Sequence, residues 1–388
     1  MKILIIQPWI KQGGAENISV YLAYYLKKRG EEVKITALFT DLKKSPPIAS
    51  QVDYLLPNKR LSQLFKKSKL FFLLFGPLVL FWLTFIHSKE VGLLNPHNFP
   101  SCWVAVLVGK LRRVPVVWHC HEPPTRISFK EAKSLGWLDF LGWFFASSLV
   151  DKLLVKGVKK IIVPSKKTQK EVKQRYGRSS RVINLGVDFN FYQQRGREKL
   201  KCRYNLSNKF ILINVGKLSP QKNQVVCLEA FKLVSKQISE GILVLIGEGQ
   251  DRKRLRALIR NKSSSGRKNW RVFFTGFLSP EEVRNWYQVA DINLFSPVNQ
   301  SWGFTPIEAL CCRVVSIVSD DCGVASVLKK ERIGLVCPAK AKPFAENIIR
   351  VYRQRSKFEQ MGQKGHLWVK KNLTWEEYAE KTLQVITG

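Results

Sequence analysis

Residues 291–310 read DINLFSPVNQSWGFTPIEAL, and the fold turns on how this stretch is folded. Ile292 to Ser296 is a short apolar run bounded by turn residues, the pattern of a buried parallel strand. Pro297, Val298 and Asn299 make a turn. A helix start follows: Thr305 offers an N-cap, Pro306 suits the first helical position, and Glu308 completes a T-x-x-E capping box. A helix N-terminus presents unpaired N–H groups and the positive end of a dipole, which attract phosphate. The stretch therefore predicts an anion site, with Gln300, Gly303, Phe304, Thr305 and Glu308 grouped around it.

The 388 residues suffice for two cores of ordinary size, and 45% apolar content is that of a globular chain. A formal charge of +36 favours anionic partners, whether nucleotide sugars, nucleic acid or an acidic membrane surface. No stacking-aromatic or groove-binding motif supports the nucleic-acid reading. The 8 cysteines form no C-x-x-C pair, so reduced cytosolic thiols are expected and structural zinc is not. His119 and His121 would share a strand face, but no second ligand pair accompanies them. The first residues, MKILIIQP, read as a buried strand and not as a secretory signal.

That strand, residues 3–8, leads into Gln12, Gly13, Gly14, Ala15 and Glu16, then an amphipathic helix from about 17 to 29 and a second strand at 33–40. This βαβ opening places a Gly-rich turn at the carboxyl end of its first strand, where open α/β sheets bind ligands. Further strands are predicted at 114–118, 159–164 and 181–185, with Ser165 capping a helix. The polar, patternless segment 191–208 marks a domain boundary.

Residues 70–86, LFFLLFGPLVLFWLTFI, carry no charge. A helix of that length spans about 25 Å, short of the roughly 30 Å hydrocarbon core. One crossing would also place strands 3–8 and 114–118 on opposite sides of the bilayer. Monotopic insertion is therefore expected, with a buried core helix and a true span as alternatives. Lys66, Lys67 and Lys69 flank the segment as anionic lipid would require. The aromatic-rich segment 135–150 repeats the theme.

A second α/β series begins with a strand at 210–215 and the turn Gly216-Lys217-Leu218-Ser219-Pro220. A helix is expected over 221–236, then strands at 242–246 (ending in Gly247) and 272–275. Ser279-Pro280-Glu281-Glu282 is a second capping box. Strands at 313–319 and 334–337 close the sheet, a helical tail follows from about 356, and a last helix starts near Trp375.

In this order the chain resembles glycosyltransferase family 4, the retaining sugar transferases of GT-B fold. The motifs are GGAE (13–16), VPVVWHCHEPP (114–124), IIVPSKKTQKEV (161–172), VINLGVDFNFY (182–192), NVGKLSPQKN (214–223), LVLIGEGQ (243–250), TGFLSPEEV (275–283) and the quoted stretch. The resemblance implies an α/β chain of two facing Rossmann-like domains, an acceptor-side domain over 1–195 and a nucleotide-sugar domain over 205–365. A C-terminal helix at 366–388 would cross back to the first. It implies a UDP- or GDP-linked donor and no metal or other cofactor.

The resemblance also assigns roles. Lys217 and Lys222 match the Arg and Lys that neutralise the departing diphosphate, Lys217 being a departure because an ammonium replaces a bidentate guanidinium. Gly13, Gly14, Gly216 and Gly247 would let backbone approach the donor. His121 matches the active-site histidine that holds the transferred sugar or the acceptor, and His119 is expected to be structural. Glu308 matches the second acid of an E-x7-E motif and would bind ribose hydroxyls. Gln300 stands where the first acid belongs, and Ser326 where many relatives carry Glu.

The expected activity is retaining transfer of a hexose from a nucleotide donor to a lipid-linked or other envelope glycan. GDP-mannose is the first candidate donor, and the enzyme would be peripheral on the inner face of the cytoplasmic membrane. The acceptor would attack the face that the diphosphate leaves, with the leaving phosphate as base. The alternatives are a non-catalytic GT-B subunit that binds glycolipid or a partner transferase, supported by Gln300, and a soluble-acceptor glucosyltransferase.

Overall fold

The computed structural model describes residues 1–11, 14–42, 45–123, 149–194, 200, 204, 206–263 and 271–388, the side chains at 15 and 260–263 aside. Gly13 and the aromatic segment at 135–148 lie outside the described residues. The chain divides into two compact units, Met1–Gly186 with Trp375–Gly388, and Val187–Thr374.

The first unit is built on β1 (Lys2–Ile6), β2 (Trp9–Ile10), β3 (Glu32–Thr36), β4 (Phe39–Thr40), β5 (Asp53–Leu55), β6 (Leu93–Pro96), β7 (Val117–His119), β8 (Lys160–Val163) and β9 (Arg181–Val182). Its main sheet is parallel in the order β5-β3-β1-β6. The parallel bridges Leu94↔Val116 and His97↔His119 carry it on to β7-β8-β9. Chain order reverses between β1 and β6, so a crevice opens at their carboxyl ends, where open α/β sheets bind ligands. Leu4, Ile6, Leu94, Val116 and Trp118 turn one sheet face into a core beneath the apolar helices.

The expected second strand is broken into β3 and β4, and the first helix spans Gly14–Lys28, beginning three residues before the expected start. Helix Lys69–His87 has two faces. Gly76, Leu80 and Thr84 are buried, and a Cβ on Gly76 would lie 3.1 Å from Leu38 Cδ1, so the missing side chain lets the helix approach. Leu70, Leu74, Phe75, Leu78, Trp82 and Ile86 are exposed, and only 17% of its most apolar 18-residue window is buried. It is therefore not the buried core helix that one sequence reading allowed. The last helix, Trp375–Thr387, returns to this unit, but it is shorter than the expected 366–388, because residues 366–372 end helix Arg355–Asn372 of the second unit. Trp375 stacks on Tyr21 with ring centroids 4.5 Å apart, and Glu380 pairs with Arg29 at 2.6 Å.

The second unit contains β10 (Phe210–Val215), β11 (Gly241–Ile246), β12 (Val272–Gly276), β13 (Ile292–Phe295), β14 (Val315–Ser319) and β15 (Leu335–Cys337). All pair in parallel, in the order β12-β11-β10-β13-β14-β15. This is the 3-2-1-4-5-6 order of a dinucleotide-type sheet, with its switch point between β10 and β13. The run FILINV supplies β10, buried on both faces because helices cover both sides of a parallel sheet. The expected 221–236 helix divides into a short 3-10 turn, Pro220–Lys222, and helix Gln224–Val234, because Asn223 adopts a left-handed conformation between them. Ser279 and Glu282 form the expected capping box, with bonds of 3.2 and 2.9 Å.

Candidate active site

At the switch point of the second sheet, the loops after β10 and β13 are tied together. Val298 N donates to Gln221 O at 3.0 Å, and Ser296 Oγ donates to Asn223 O at 2.9 Å. Beneath them Asn214 Nδ2 donates to Leu294 O at 2.7 Å, fixing the spacing of the strand ends. The ties bring together two of the sequence candidates: Lys222 Nζ donates to Gln300 Oε1 at 2.6 Å. Gln300 is held by its backbone as well, its N–H donating to Asp321 O at 3.1 Å. With Oε1 engaged, the Gln300 amide has N–H groups left to offer, where a carboxylate would only accept. Lys217 is exposed one residue beyond Gly216, and its carbonyl is held by Gln224 Nε2 at 3.0 Å.

The glycines divide by physical cause. Gly216 has φ +145°, and a Cβ there would meet no atom within 4 Å. Space beside the end of β10 is thus open to a ligand. Gly247 has φ +131°, but its Cβ would fall 2.2 Å from Gly216 O, so packing between neighbouring strand ends requires it. Gly303 is extended, and its Cβ would lie 2.7 Å from Phe295 Cε1. Both are therefore glycine for packing. Gly14 is the exposed first residue of its helix.

The quoted stretch folds as strand, turn and helix, but the cap differs from expectation. Helix Phe304–Cys311 is N-capped by Gly303 with no side-chain cap bond, so Thr305 lies inside the first turn. Glu308 does not close a capping box. Its carboxylate accepts from the Tyr287 hydroxyl at 2.8 Å and also bonds Tyr192. Two phenolic donors outcompete a local backbone N–H, because they lie on packed neighbouring helices while the cap would have to be built at a helix end. Burial raises the Glu308 carboxyl above its ordinary range, and the tyrosine bonds oppose that shift. Thr305 Oγ1 is buried at the helix N-terminus without a partner among the described residues.

In the first unit, His121 follows the end of β7 and is 7% exposed. It belongs to a polar row that sequence reading missed. Asn95 and His97 alternate on β6 and its continuation as His119 and His121 do on β7, so all four face the same way. His97 Nδ1 lies 2.9 Å from His121 Nε2, His97 Nε2 lies 3.0 Å from Asn95 Oδ1, and Asn95 Nδ2 lies 2.8 Å from His119 Nδ1. The His97 and His119 rings stack with centroids 4.5 Å apart. Burial lowers all three imidazoles, His121 to about 4, so each is neutral at ordinary pH. His119 is buried inside this row. Gln7, wholly buried just after β1, has no partner for either amide atom among the described residues. The period-two spacing of polar residues at 95, 97, 119 and 121 was the available signal.

Comparisons with known proteins agree with this architecture. A family model described as "Glycosyltransferase Family 4" matches residues 12–191. One described as "Glycosyl transferases group 1" matches residues 196–368. The alpha-monoglucosyldiacylglycerol synthase of Acholeplasma laidlawii is 26% identical over 232 residues, 56% of either chain. Alpha-1,3/1,6-mannosyltransferase ALG2 of Homo sapiens is 20% identical over 99% of this chain and 95% of its own. The match spans about half the length, or less, of the first curated relatives. The crystal structure of Anabaena HepE in complex with UDP superposes with a TM-score of 0.77 at 18% identity, with 100% of both chains covered.

Proposed function

The chain belongs to glycosyltransferase family 4 and has its GT-B fold, and from that premise we propose that it moves a hexosyl group from a nucleotide-diphosphate sugar to a lipid-linked or envelope glycan, with retention. The observation that carries the donor half is the pair Lys222–Gln300 beside the open face of Gly216. A diphosphate seated there meets an oriented ammonium, amide N–H groups and backbone that no Cβ obstructs, so charge developing on the leaving group is stabilised without reorganisation. Glu308, held by Tyr287, keeps lone pairs for vicinal ribose hydroxyls. Lys217 adds a point charge at the rim. His121 supplies an imidazole for a hydroxyl of the sugar or the acceptor, and the leaving phosphate takes the acceptor's proton as it departs. UDP is the ligand of the HepE crystal structure and mannosyl transfer is the activity named for ALG2, so UDP- and GDP-sugars are the donors to test first.

The acceptor half rests on helix Lys69–His87. Its inner side packs on the core of the first unit while a stripe of large apolar side chains faces outward. β1 before this helix and β6 after it pair in one sheet, so both ends of the helix lie on the same side of a membrane, which supports insertion into one leaflet only. Lys59, Arg60, Lys66, Lys67 and Lys69 on and before this helix fit anionic headgroups, and the cytoplasmic leaflet carries such a surface.

A thermal-shift screen with UDP-, GDP- and ADP-sugars tests the donor. Ligand at 100 times its Kd adds about 2.7 kcal/mol to the stability of the native state. A shift with none of them would favour a non-catalytic subunit. The product anomer tests the mechanism: an inverted product would remove the retaining assignment.

A further inference from the structure

The imidazole row of the first unit has a direction, and the backbone sets it. Val117 O can only accept, so the group 2.6 Å from it must be the Asn95 amide nitrogen, Nδ2. Asn95 Oδ1 is then an acceptor, and His97 must carry its hydrogen on Nε2 to bond it at 3.0 Å. A neutral His97 has a lone pair on Nδ1, so across the 2.9 Å contact His121 must donate from Nε2. Had His121 its hydrogen on Nδ1, two lone pairs would face each other at that distance inside a buried row. No protein partner for His121 Nδ1 occurs among the described residues, and this is the nitrogen left bare.

We propose that His97, oriented by Asn95, is a positioning residue that locks His121 as its Nε2–H tautomer and so presents Nδ1 as an acceptor for a substrate hydroxyl. The proposal rests on the reading of His121 as a substrate contact, and it deepens that reading. Its consequence is selective: a neutral Nδ1 can hold a hydroxyl by accepting its hydrogen, but cannot donate to a ring oxygen or a phosphate. His121 thus recognises an alcohol of the sugar or acceptor, not the diphosphate. Hydrogen bonds from the second nitrogen commonly set imidazole tautomers in this way.

The test begins with the wild-type protein, labelled with 15N at histidine. Long-range 15N–1H correlation at pH 7 reads the tautomer, and loss of a signal set in His121→Gln assigns it. The expected result is a protonated Nε2 and an unprotonated Nδ1 at His121. A protonated Nδ1, or a mixture, overturns the proposal without any assay of turnover. His97→Phe keeps the ring volume and removes both nitrogens. It is expected to mix the His121 tautomers and to lower kcat/KM by about tenfold, with the UDP- or GDP-sugar that shifts the melting temperature as substrate. His97→Gln can accept through Oε1 and donate through Nε2, so it should restore both readouts. A mixed tautomer with unchanged kcat/KM overturns the positioning role. Unchanged transfer by His121→Gln, with the wild-type tautomer as expected, overturns the substrate-contact reading and leaves the lock standing as structural only.

Discussion

Lowering the pH from 7 to 5 loads protons onto the unfolded chain that the folded chain refuses at His121. Burial pushes this imidazole from its ordinary 6.5 to about 4. Between those values the unfolded state binds the proton and the native state does not, so stability is complete above 6.5 and falls as the pH drops towards 4. At pH 5 an unfolded His121 is almost fully protonated and a native one about a tenth protonated, so unfolding takes up about 0.9 proton at this site. The corresponding loss of stability between pH 7 and pH 5 is about 2 kcal/mol. His97 and His119, lowered first by burial and then by neighbouring imidazoles, add to it in the same direction. The assay is proton uptake on thermal unfolding, measured by calorimetry in buffers of different ionisation enthalpy, for the wild type and for His121→Gln. The difference isolates one site from the other titrating groups. Equal uptake by both proteins at pH 5 would refute the reasoning, since it would mean that His121 titrates in the fold as it does in water. The same neutrality makes the imidazole a hydrogen-bonding group and not a cation across the pH range of ordinary assays.

Lys222→Met should lower kcat/KM by about a hundredfold, because it removes an oriented charge, whereas the exposed Lys217→Met should cost about tenfold; steady-state kinetics with the identified donor checks the order. Gly247→Ala should destabilise by about 3 kcal/mol, since its Cβ would strike Gly216 O at 2.2 Å with φ at +131°. Gly216→Ala should cost only about 1 kcal/mol of backbone strain yet weaken donor binding, which a melting curve and a donor titration separate. Tyr287→Phe removes a 2.8 Å bond to the half-buried Glu308 carboxylate and should lower stability by about 1–3 kcal/mol in a denaturation series. Leu78→Glu with Trp82→Glu, both exposed, should abolish flotation with phosphatidylglycerol vesicles while leaving the melting temperature unchanged; continued flotation would refute the docking face.

Much of the second unit was legible because its signals are local. FILINV is a strand by composition alone, Ser279-Pro280-Glu281-Glu282 is a capping box within one turn, and Gly216 is a strand-end glycine read in sequence order. The misread cap at Thr305 shows where local reasoning stops. The T-x-x-E pattern is present, but Glu308 finds Tyr287 and Tyr192, which are distant in sequence, and the helix starts two residues earlier than a Thr cap would set. The Lys222–Gln300 bond spans 78 residues and exists because β10 and β13 are neighbours in the sheet.

By itself the sequence determined two parallel α/β units and the glycine-bearing strand ends, and the resemblance carried by its ordered motifs named His121, Lys222, Gln300 and Glu308 as candidates. It could do so because strand periodicity, turn chemistry and motif order are properties of neighbouring residues. Only the tertiary structure decided which partner each of those side chains has. His121 is a lone strand-end histidine in the sequence and the last member of a buried polar row in the fold, because parallel pairing across β6 and β7 brings residues 95, 97, 119 and 121 onto one face. Residues 70–86 of helix Lys69–His87 carry no charge in sequence, and packing alone separates the protein face of the helix from its outward one. Hydrogen-bond direction and burial are set by contacts between distant segments, and no local pattern encodes them.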